Sequence, residues 1–431
     1  MKPDPKMPRW DGFPAGLNNR ARHTDAPTNE NGTPTALREA VNVVLDQQGK
    51  LRLRPGLTAI VAAQRAHSLF AGEYLFAWVD GSFNAYDRGM GATTLRALPD
   101  RYITCASDDF DVYWSNGVES GRIAEDLSLH PFWVGTPNPV ILTAVGNGGL
   151  AAGRYEVSVT AVDADGRESG ASGPVQLLLT AGQGINVTLP SVPEACLRWR
   201  VYVTPPDGDV FYQCADLPAN AGGYVIGVHT PGAKLDTLWL DVIPPCNQLR
   251  AGHNRLYALD KNVLMFSEPY RIGLMHPDNH VVIGKECTLF EPLGDADSAG
   301  CWVADGKRTY WMGGADPANW SQTARYPHAA VPGSSMTLPG TRLGLETTDL
   351  VAYWIAANGT PCVGLPGGQL MPLRESSLAL PVNGERGASG LMLFDGIAQV
   401  LSTVFGASPN LAADHAFARD SAEATVRHRT A

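Results

Sequence analysis

Long apolar runs are missing from this sequence, and no stretch approaches the roughly eighteen residues that a helical membrane span requires. A helical membrane protein is therefore not expected. Basic residues are also few, 33 Lys and Arg against 43 Asp and Glu, and nowhere do they form a run. The resulting formal charge of -10 works against non-specific nucleic-acid affinity, which comes mostly from cations neutralising phosphates. Such a surface does suit a conduit past which nucleic acid slides without sticking. Cysteine is sparse, and the seven present (Cys105, Cys196, Cys214, Cys246, Cys287, Cys301 and Cys362) form no close pair. Their odd number and wide spacing argue against a disulfide framework or a metal knuckle, and for reduced, mostly buried thiols. The beginning, Met1-Lys2-Pro3-Asp4-Pro5-Lys6, lacks the apolar core of a signal peptide, so synthesis and folding in the cytosol are expected.

What is abundant is turn chemistry, with 46 Gly and 32 Pro and no collagen-like period. One small unit recurs: an alternating apolar and aromatic run, a short Asp or Asn turn usually followed by Gly, and a second extended run. The turns are Asp80-Gly81, Asn116-Gly117, Asp260-Lys261-Asn262, Asp305-Gly306, Asn358-Gly359 and Asp395-Gly396. Such dipeptides tolerate the positive φ that tight hairpins demand. The spacing is roughly 36 to 53 residues once one block of about 106 residues is set aside, which is the size of a β-propeller blade. Strands apolar on both faces, Tyr74-Leu75-Phe76-Ala77-Trp78-Val79 and Leu350-Val351-Ala352-Tyr353-Trp354-Ile355, must be covered on both sides, as blades are. A further hairpin reads from Val41 to Leu45 and Leu51 to Arg54, either as a seventh blade or as strands that close the ring. The expected fold class is all-β, a propeller of about six blades with an inserted immunoglobulin-type sandwich.

The insert is expected over residues 138–243, where seven short strands separated by Gly, Pro, Asp and Ser turns replace the hairpin unit. Pro137-Asn138-Pro139 and Pro244-Pro245 mark its hinges. The remaining divisions are an arm over 1–36, propeller parts over 37–137 and 244–406, and a tail over 407–431. Arg9 to Arg22 and Leu411 to Arg429 carry arginines and aromatics suited to interfaces. An arm at each end of a compact β body is also how subunits of a ring reach their neighbours.

Signals for chemistry are weak. His276-Pro277-Asp278-Asn279-His280 places two imidazoles and a carboxylate together, but in a loop that fixes no common facing. Gly387-Ala388-Ser389-Gly390 lacks the spacing and context of a nucleophile elbow. Gly146-Asn147-Gly148-Gly149 is followed by no helix that would make it a phosphate cradle. Asp163-Ala164-Asp165-Gly166-Arg167-Glu168-Ser169 resembles the start of a calcium loop without its later ligands, and reads as a hairpin turn. The pairs Asp108 and Asp109, and Asp295 and Asp297, have the composition of a glycosidase acid and base, yet their Ser and Gly company favours turns. Trp78, Trp114, Trp302, Trp311 and Trp354 lie in strands, where core packing is the expected use. No catalytic residue, cofactor or metal is expected.

Several segments carry a family resemblance. These are Gly12-Phe13-Pro14-Ala15-Gly16-Leu17-Asn18-Asn19-Arg20, Leu37 to Val43 leading to Gly49 to Gly56, Asn254-Arg255-Leu256-Tyr257 running to Met265-Phe266-Ser267-Glu268-Pro269, and Thr309 to Pro317. Together they resemble the tail nozzle proteins of short-tailed bacteriophages, the tail-tube B and packaged-DNA-stabilisation family. The run Gly153 to Ser172 is similar to the fibronectin-type domain that many of these proteins carry. The resemblance implies a virion tail protein, made in the cytoplasm of a bacterial host. It further implies a homo-oligomeric ring, hexameric, that forms a nozzle or head-to-tail accessory part of the DNA exit channel. The implied partners are copies of itself, a head-to-tail adaptor or other tail proteins, tail fibres, and DNA in transit. Three alternatives stay open: a tail-tip or fibre-docking protein of a long-tailed phage, a carbohydrate-active propeller enzyme, and a bacterial propeller adaptor with no viral link.

Overall fold

In the computed structural model the described residues are 13–20, 28–30, 35–37, 43–45, 50–53, 60–108, 111–373, 375–376, 378, 386–394 and 397–405. They form an all-β protein in two compact units, Ala63–Ile283 and Met1–Ala62 with Gly284–Ala431. The turn Asp395-Gly396 and the segment Leu411 to Arg429 lie outside the described residues, as do residues 9–12 and 21–22 of Arg9 to Arg22.

Five four-stranded antiparallel sheets repeat along the chain. The first comprises Ala66–Ala71, Leu75–Val79, Ser82–Tyr86 and Ala92–Ala97, and the second Thr104–Ser107, Val112–Ser115, Ser120–Ile123 and Leu129–His130. Gln248–Gly252, Arg255–Asp260, Val263–Phe266 and His280–Val282 make the third. The fourth is Leu289–Leu293, Gly300–Ala304, Thr309–Gly313 and Ser321–Tyr326; the fifth is Met336–Pro339, Leu350–Ile355, Pro361–Gly364 and Leu370–Pro372. A two-stranded hairpin, Arg386–Phe394 with Ile397–Phe405, follows, and Val43–Leu45 pairs with Leu51–Leu53 near the start.

In all five sheets the Asp or Asn turn joins the second strand to the third. Asp80 and Gly81 form a two-residue turn with φ of 44° and 96°, a left-handed pair that places Val79 opposite Ser82. Asn116 and Asp305 work differently, each closing a four-residue loop with its own side chain. Asn116 Oδ1 accepts from the backbone N–H groups of Val118 and Glu119 at 3.0 and 2.7 Å, and Asp305 Oδ1 from those of Lys307 and Arg308 at 3.0 and 2.8 Å. A further tight turn, outside the set read from the sequence, has no Asp-Gly or Asn-Gly signature. His253 and Asn254, both left-handed at 52° and 56°, join the first two strands of the third sheet.

The second strands of the second and fifth sheets alternate between two cores, which is why they are apolar on both faces. Within the unit Ala63–Ile283, Cys105, Trp114 and Ile123 of the second sheet pack with Phe76, Trp78 and Phe83 of the first. Its Ala106 and Tyr113 turn the other way, onto Leu249, Leu256 and Ala258 of the third. In the other unit, Trp302 and Trp311 of the fourth sheet pack with Ala352, Trp354 and Cys362 of the fifth, whose opposite face, Val351, Tyr353 and Ile355, meets Val400 and Val404 of the hairpin. Within each unit, successive sheets are thus stacked face to face in the manner of propeller blades. The stacking is close: a Cβ added to Gly364 would lie 2.4 Å from the Trp302 ring, so only glycine lets that indole lie flat on the neighbouring sheet.

The insert is a seven-stranded sandwich. One layer is Ile141–Leu150, Gln183–Thr188 and Gly223–Ile226; the other, in order, is Val175–Leu179, Gly153–Val162, Arg198–Val203 and Tyr212–Pro218. Strict alternation over Gly153–Val162 buries Tyr155, Val157, Val159 and Ala161 against Trp199, Ile185 and Val187. Ser158 and Thr160 are buried on the opposite face, where Ser158 Oγ donates to Ser172 O at 2.7 Å and Thr160 Oγ1 to Glu168 Oε1 at 2.6 Å.

Candidate functional site

The most heavily charged buried site of the described residues lies where the insert meets the second sheet. It starts with two neighbouring strands. Asp111 stands just ahead of Val112–Ser115, and Arg122 lies on Ser120–Ile123 directly across from Tyr113. Both side chains are about 5% exposed, and Arg122 Nη1 donates to Asp111 Oδ1 at 3.0 Å. The insert supplies the other half from the turn after Gly153–Val162. Asp163 builds that turn by accepting the N–H groups of Asp165 and Arg167 at 2.9 and 2.8 Å on one carboxylate oxygen, with Gly166 left-handed at 80°. The turn presents Arg167 to Asp111 Oδ2 at 2.5 Å and Asp165 to Arg122 Nη2 at 2.9 Å. Two arginines and two aspartates therefore alternate around a closed, charge-neutral ring. Burial pushes the neighbouring Tyr113 phenol up, and Asp108 adds to the effect.

A second layer seats the same turn. Trp133 lies under the Arg167 guanidinium at 5.5 Å and donates its Nε1–H to Glu168 O at 3.0 Å. Glu168 accepts from Arg200 Nη1 at 2.5 Å and from the Tyr202 hydroxyl at 2.6 Å. Burial, then the Glu168 hydrogen bond, raise the Tyr202 pKa. At the base, Thr136 Oγ1 donates to Asp241 Oδ1 at 2.8 Å, holding the two ends of the insert together. The arrangement contains no nucleophile; its chemistry is that of a polar lock which fixes the insert's orientation on the sheet.

The residues nominated from sequence do not converge on this lock, apart from the Asp163 to Ser169 turn. His276 Nδ1 accepts from Asp278 N at 3.2 Å and His280 Nδ1 meets Pro277 O at 3.0 Å, so both imidazoles close their own loop. Among the described residues no three His, Cys, Asp or Glu side chains are grouped as metal ligands. Asp108 Oδ1 accepts from Asp111 N at 2.7 Å, and Asp109 lies outside the described residues. Asp295 precedes the short 3-10 turn Ala296–Ser298, and Asp297 is exposed on it. Ser389, in strand Arg386–Phe394, donates to Ser334 O at 2.7 Å. The Gly146 to Gly149 run continues strand Ile141–Leu150, with Asn147 left-handed and a Gly148 Cβ excluded by the backbone of Gln183. All five tryptophans are buried.

What sequence reasoning missed is the partnership of Asp111 and Arg122 with the insert turn, whose members stand 43 and 56 residues apart. The only local sign was an arginine in an otherwise small and apolar strand, Ser120-Gly121-Arg122-Ile123.

No protein-family model matches the chain, and no curated protein matches it. Solved structures similar to it include the computationally designed Ika8 protein, at 13% identity over 78% of this chain and 98% of that one, with a TM-score of 0.26. BBS1N, solved in complex with ARL6DN, is 12% identical over 81% of this chain and 94% of that chain, with a TM-score of 0.29. AztD of Citrobacter koseri is 10% identical over 72% and 87%, with a TM-score of 0.26. All three scores are low, so the description of the fold rests on the strand pairings above.

Proposed function

We propose that this chain is a structural component of a phage tail, assembling into a closed, hexameric ring that forms a nozzle or head-to-tail accessory part of the DNA exit channel. The observation that supports it is the construction of the molecule. Within each unit repeated four-stranded sheets are stacked face to face, and a sandwich is pinned to the second of them by a ring of four charges whose Asp111–Arg122 side is buried. Such a body keeps a fixed shape under load. The segments that resemble nozzle proteins supply its frame: Arg255 to Tyr257 and Met265 to Phe266 are central strands of the third sheet, and Thr309 to Gly313 is a central strand of the fourth.

The role is mechanical, with an acidic chain of net charge -10 that lets DNA pass without holding it. Copies of the chain would meet head to tail, because a heterologous contact between identical subunits must close into a ring or run on as a filament. Electron microscopy and mass photometry of the purified chain at high concentration test the reading. Rings with a central hole and six subunits are expected. A strict monomer at every concentration would overturn it, and hydrolysis of a glycan abolished by changing one carboxylate would put the carbohydrate-active enzyme in its place.

A further inference from the structure

We infer that Ser68 is an activated nucleophile, relayed through His67 to Asp100, which accepts acyl groups from small aryl esters and passes them to water. The inference is independent of assembly and rests on a cluster at the edge of the first sheet. Strand Ala66–Ala71 pairs His67 with Trp78, then slips register, so that the next pair is Phe70 with Phe76. Ser68 and Leu69 form the bulge between them. Bulges re-aim side chains, and they recur beside active sites. Ser68 also has a φ of 59°, a left-handed conformation that a serine adopts at some cost.

The bulge turns the Ser68 hydroxyl back onto its neighbour. Ser68 Oγ lies 2.8 Å from His67 Nδ1, and His67 Nε2 lies 3.0 Å from Asp100 Oδ1. Asp100 also pairs through Oδ2 with Arg65. A carboxylate only accepts, so Nε2 carries the ring hydrogen; Nδ1 of the neutral ring is then a lone pair, and the Ser68 O–H must donate to it. The hydroxyl proton thus already points at its base, and the base is oriented by a third group, the arrangement that nucleophilic catalysis requires. Two further features favour the charges that would form. Ile103 N donates to Ser68 Oγ at 2.7 Å, supporting negative charge on that oxygen. The imidazole is stacked on Trp78 at 4.5 Å and 8° and lies 4.7 Å from Tyr102, so aromatic faces support the imidazolium. Tyr102 is 53% and Leu69 71% exposed, which leaves an open, partly apolar approach suited to a small aryl ester.

In the first half-reaction Ser68 Oγ bonds to the ester carbonyl carbon while its proton moves to His67 Nδ1. The tetrahedral intermediate then expels the aryl alkoxide, which takes that proton from His67. In the second half, water adds to the acyl carbon with His67 as base. The Ser68 Oγ–carbon bond breaks, the free acid leaves and the hydroxyl is restored.

The test treats the full chain with a fluorophosphonate probe and, separately, with 4-nitrophenyl acetate. One adduct on the Ser68 peptide is expected, together with turnover of the ester, and both should vanish in Ser68→Ala. In His67→Gln labelling should slow by about 100-fold or more. Asp100→Asn, a change at a positioning residue, should slow labelling and also move the rising limb of the pH–rate profile to lower pH, since the imidazolium loses its carboxylate. No adduct on Ser68 would overturn the inference. So would labelling of folded Asp100→Asn at an unchanged rate with an unchanged pH profile.

Discussion

Removing Asp111 should damage the protein far more than removing an ordinary surface carboxylate, and the reason lies in the charge ring at the insert. Asp111 binds Arg122 through one oxygen and Arg167 through the other, and the Asp111 and Arg122 side chains are each about 5% exposed. With Asp111→Ala the ring holds two cations and one anion, and its remaining carboxylate, Asp165, is 50% exposed and so screened by water. Breaking a buried pair by deleting one partner costs about 3–5 kcal/mol, because the other charge stays behind uncompensated. For a unit of this size that lowers the melting temperature by about 6–20 °C. The double change Asp111→Leu with Arg122→Met removes both desolvated charges, and should recover most of the loss. A double-mutant cycle followed by thermal melting measures the coupling, and hydrogen exchange over 153–172 reports whether the insert turn has come loose. A cost below about 1 kcal/mol for Asp111→Ala, the value of an exposed ion pair, would refute the reasoning.

Two other predictions follow from buried groups. Trp302 donates its Nε1–H to Leu365 O at 3.1 Å, whereas Trp354 Nε1 finds no acceptor among the described residues, so Trp302→Phe should cost about 1–2 kcal/mol more than Trp354→Phe in urea unfolding, and equal losses would contradict the pairing. Burial raises the thiols of Cys214, Cys246, Cys287 and Cys362 from 9.0 to about 12. Their contribution to stability is complete below pH 9. It is lost between pH 9 and about 12, where the unfolded chain releases protons that the folded chain retains. Urea midpoints should therefore fall from pH 8 to pH 10, and in a chain with all four changed to Ser or Ala they should fall less.

Much of the fold was legible because its signals are local. Asp80-Gly81 announces its turn through two adjacent residues, and Tyr155, Val157, Val159 and Ala161 announce a half-buried strand through a period of two. The seven strands of the insert were legible for the same reason. His253-Asn254 was not legible as a turn, because neither residue is glycine and the strand it opens is preceded by another with no marked alternation, Gln248-Leu249-Arg250-Ala251-Gly252. The sites were harder still. The charge ring joins residues from two elements through tertiary contact alone, and the Ser68 geometry exists only because a bulge rotates one side chain toward its neighbour. Composition and spacing carry no trace of either. The carboxylates that did stand out, Asp108 and Asp295, stood out as turn formers, and both occupy turns.

The clasp between Thr136 and Asp241 has a consequence for the order in which the chain folds. Ser115 and Cys246 exchange hydrogen bonds at 2.8 Å, yet they are 131 residues apart, so joining the second sheet to the third is a long-range event. Thr136 and Asp241 are themselves 105 residues apart in sequence and 2.8 Å apart in space. A sandwich that folds first therefore delivers the second and third sheets to each other as if joined by roughly 26 residues rather than 131. Loop closure over the difference would otherwise cost about 1.4 kcal/mol. The insert thus acts as a splint during synthesis: closing it shortens the path between the sheets on either side, and a defect in its core should appear first as a delay in their docking.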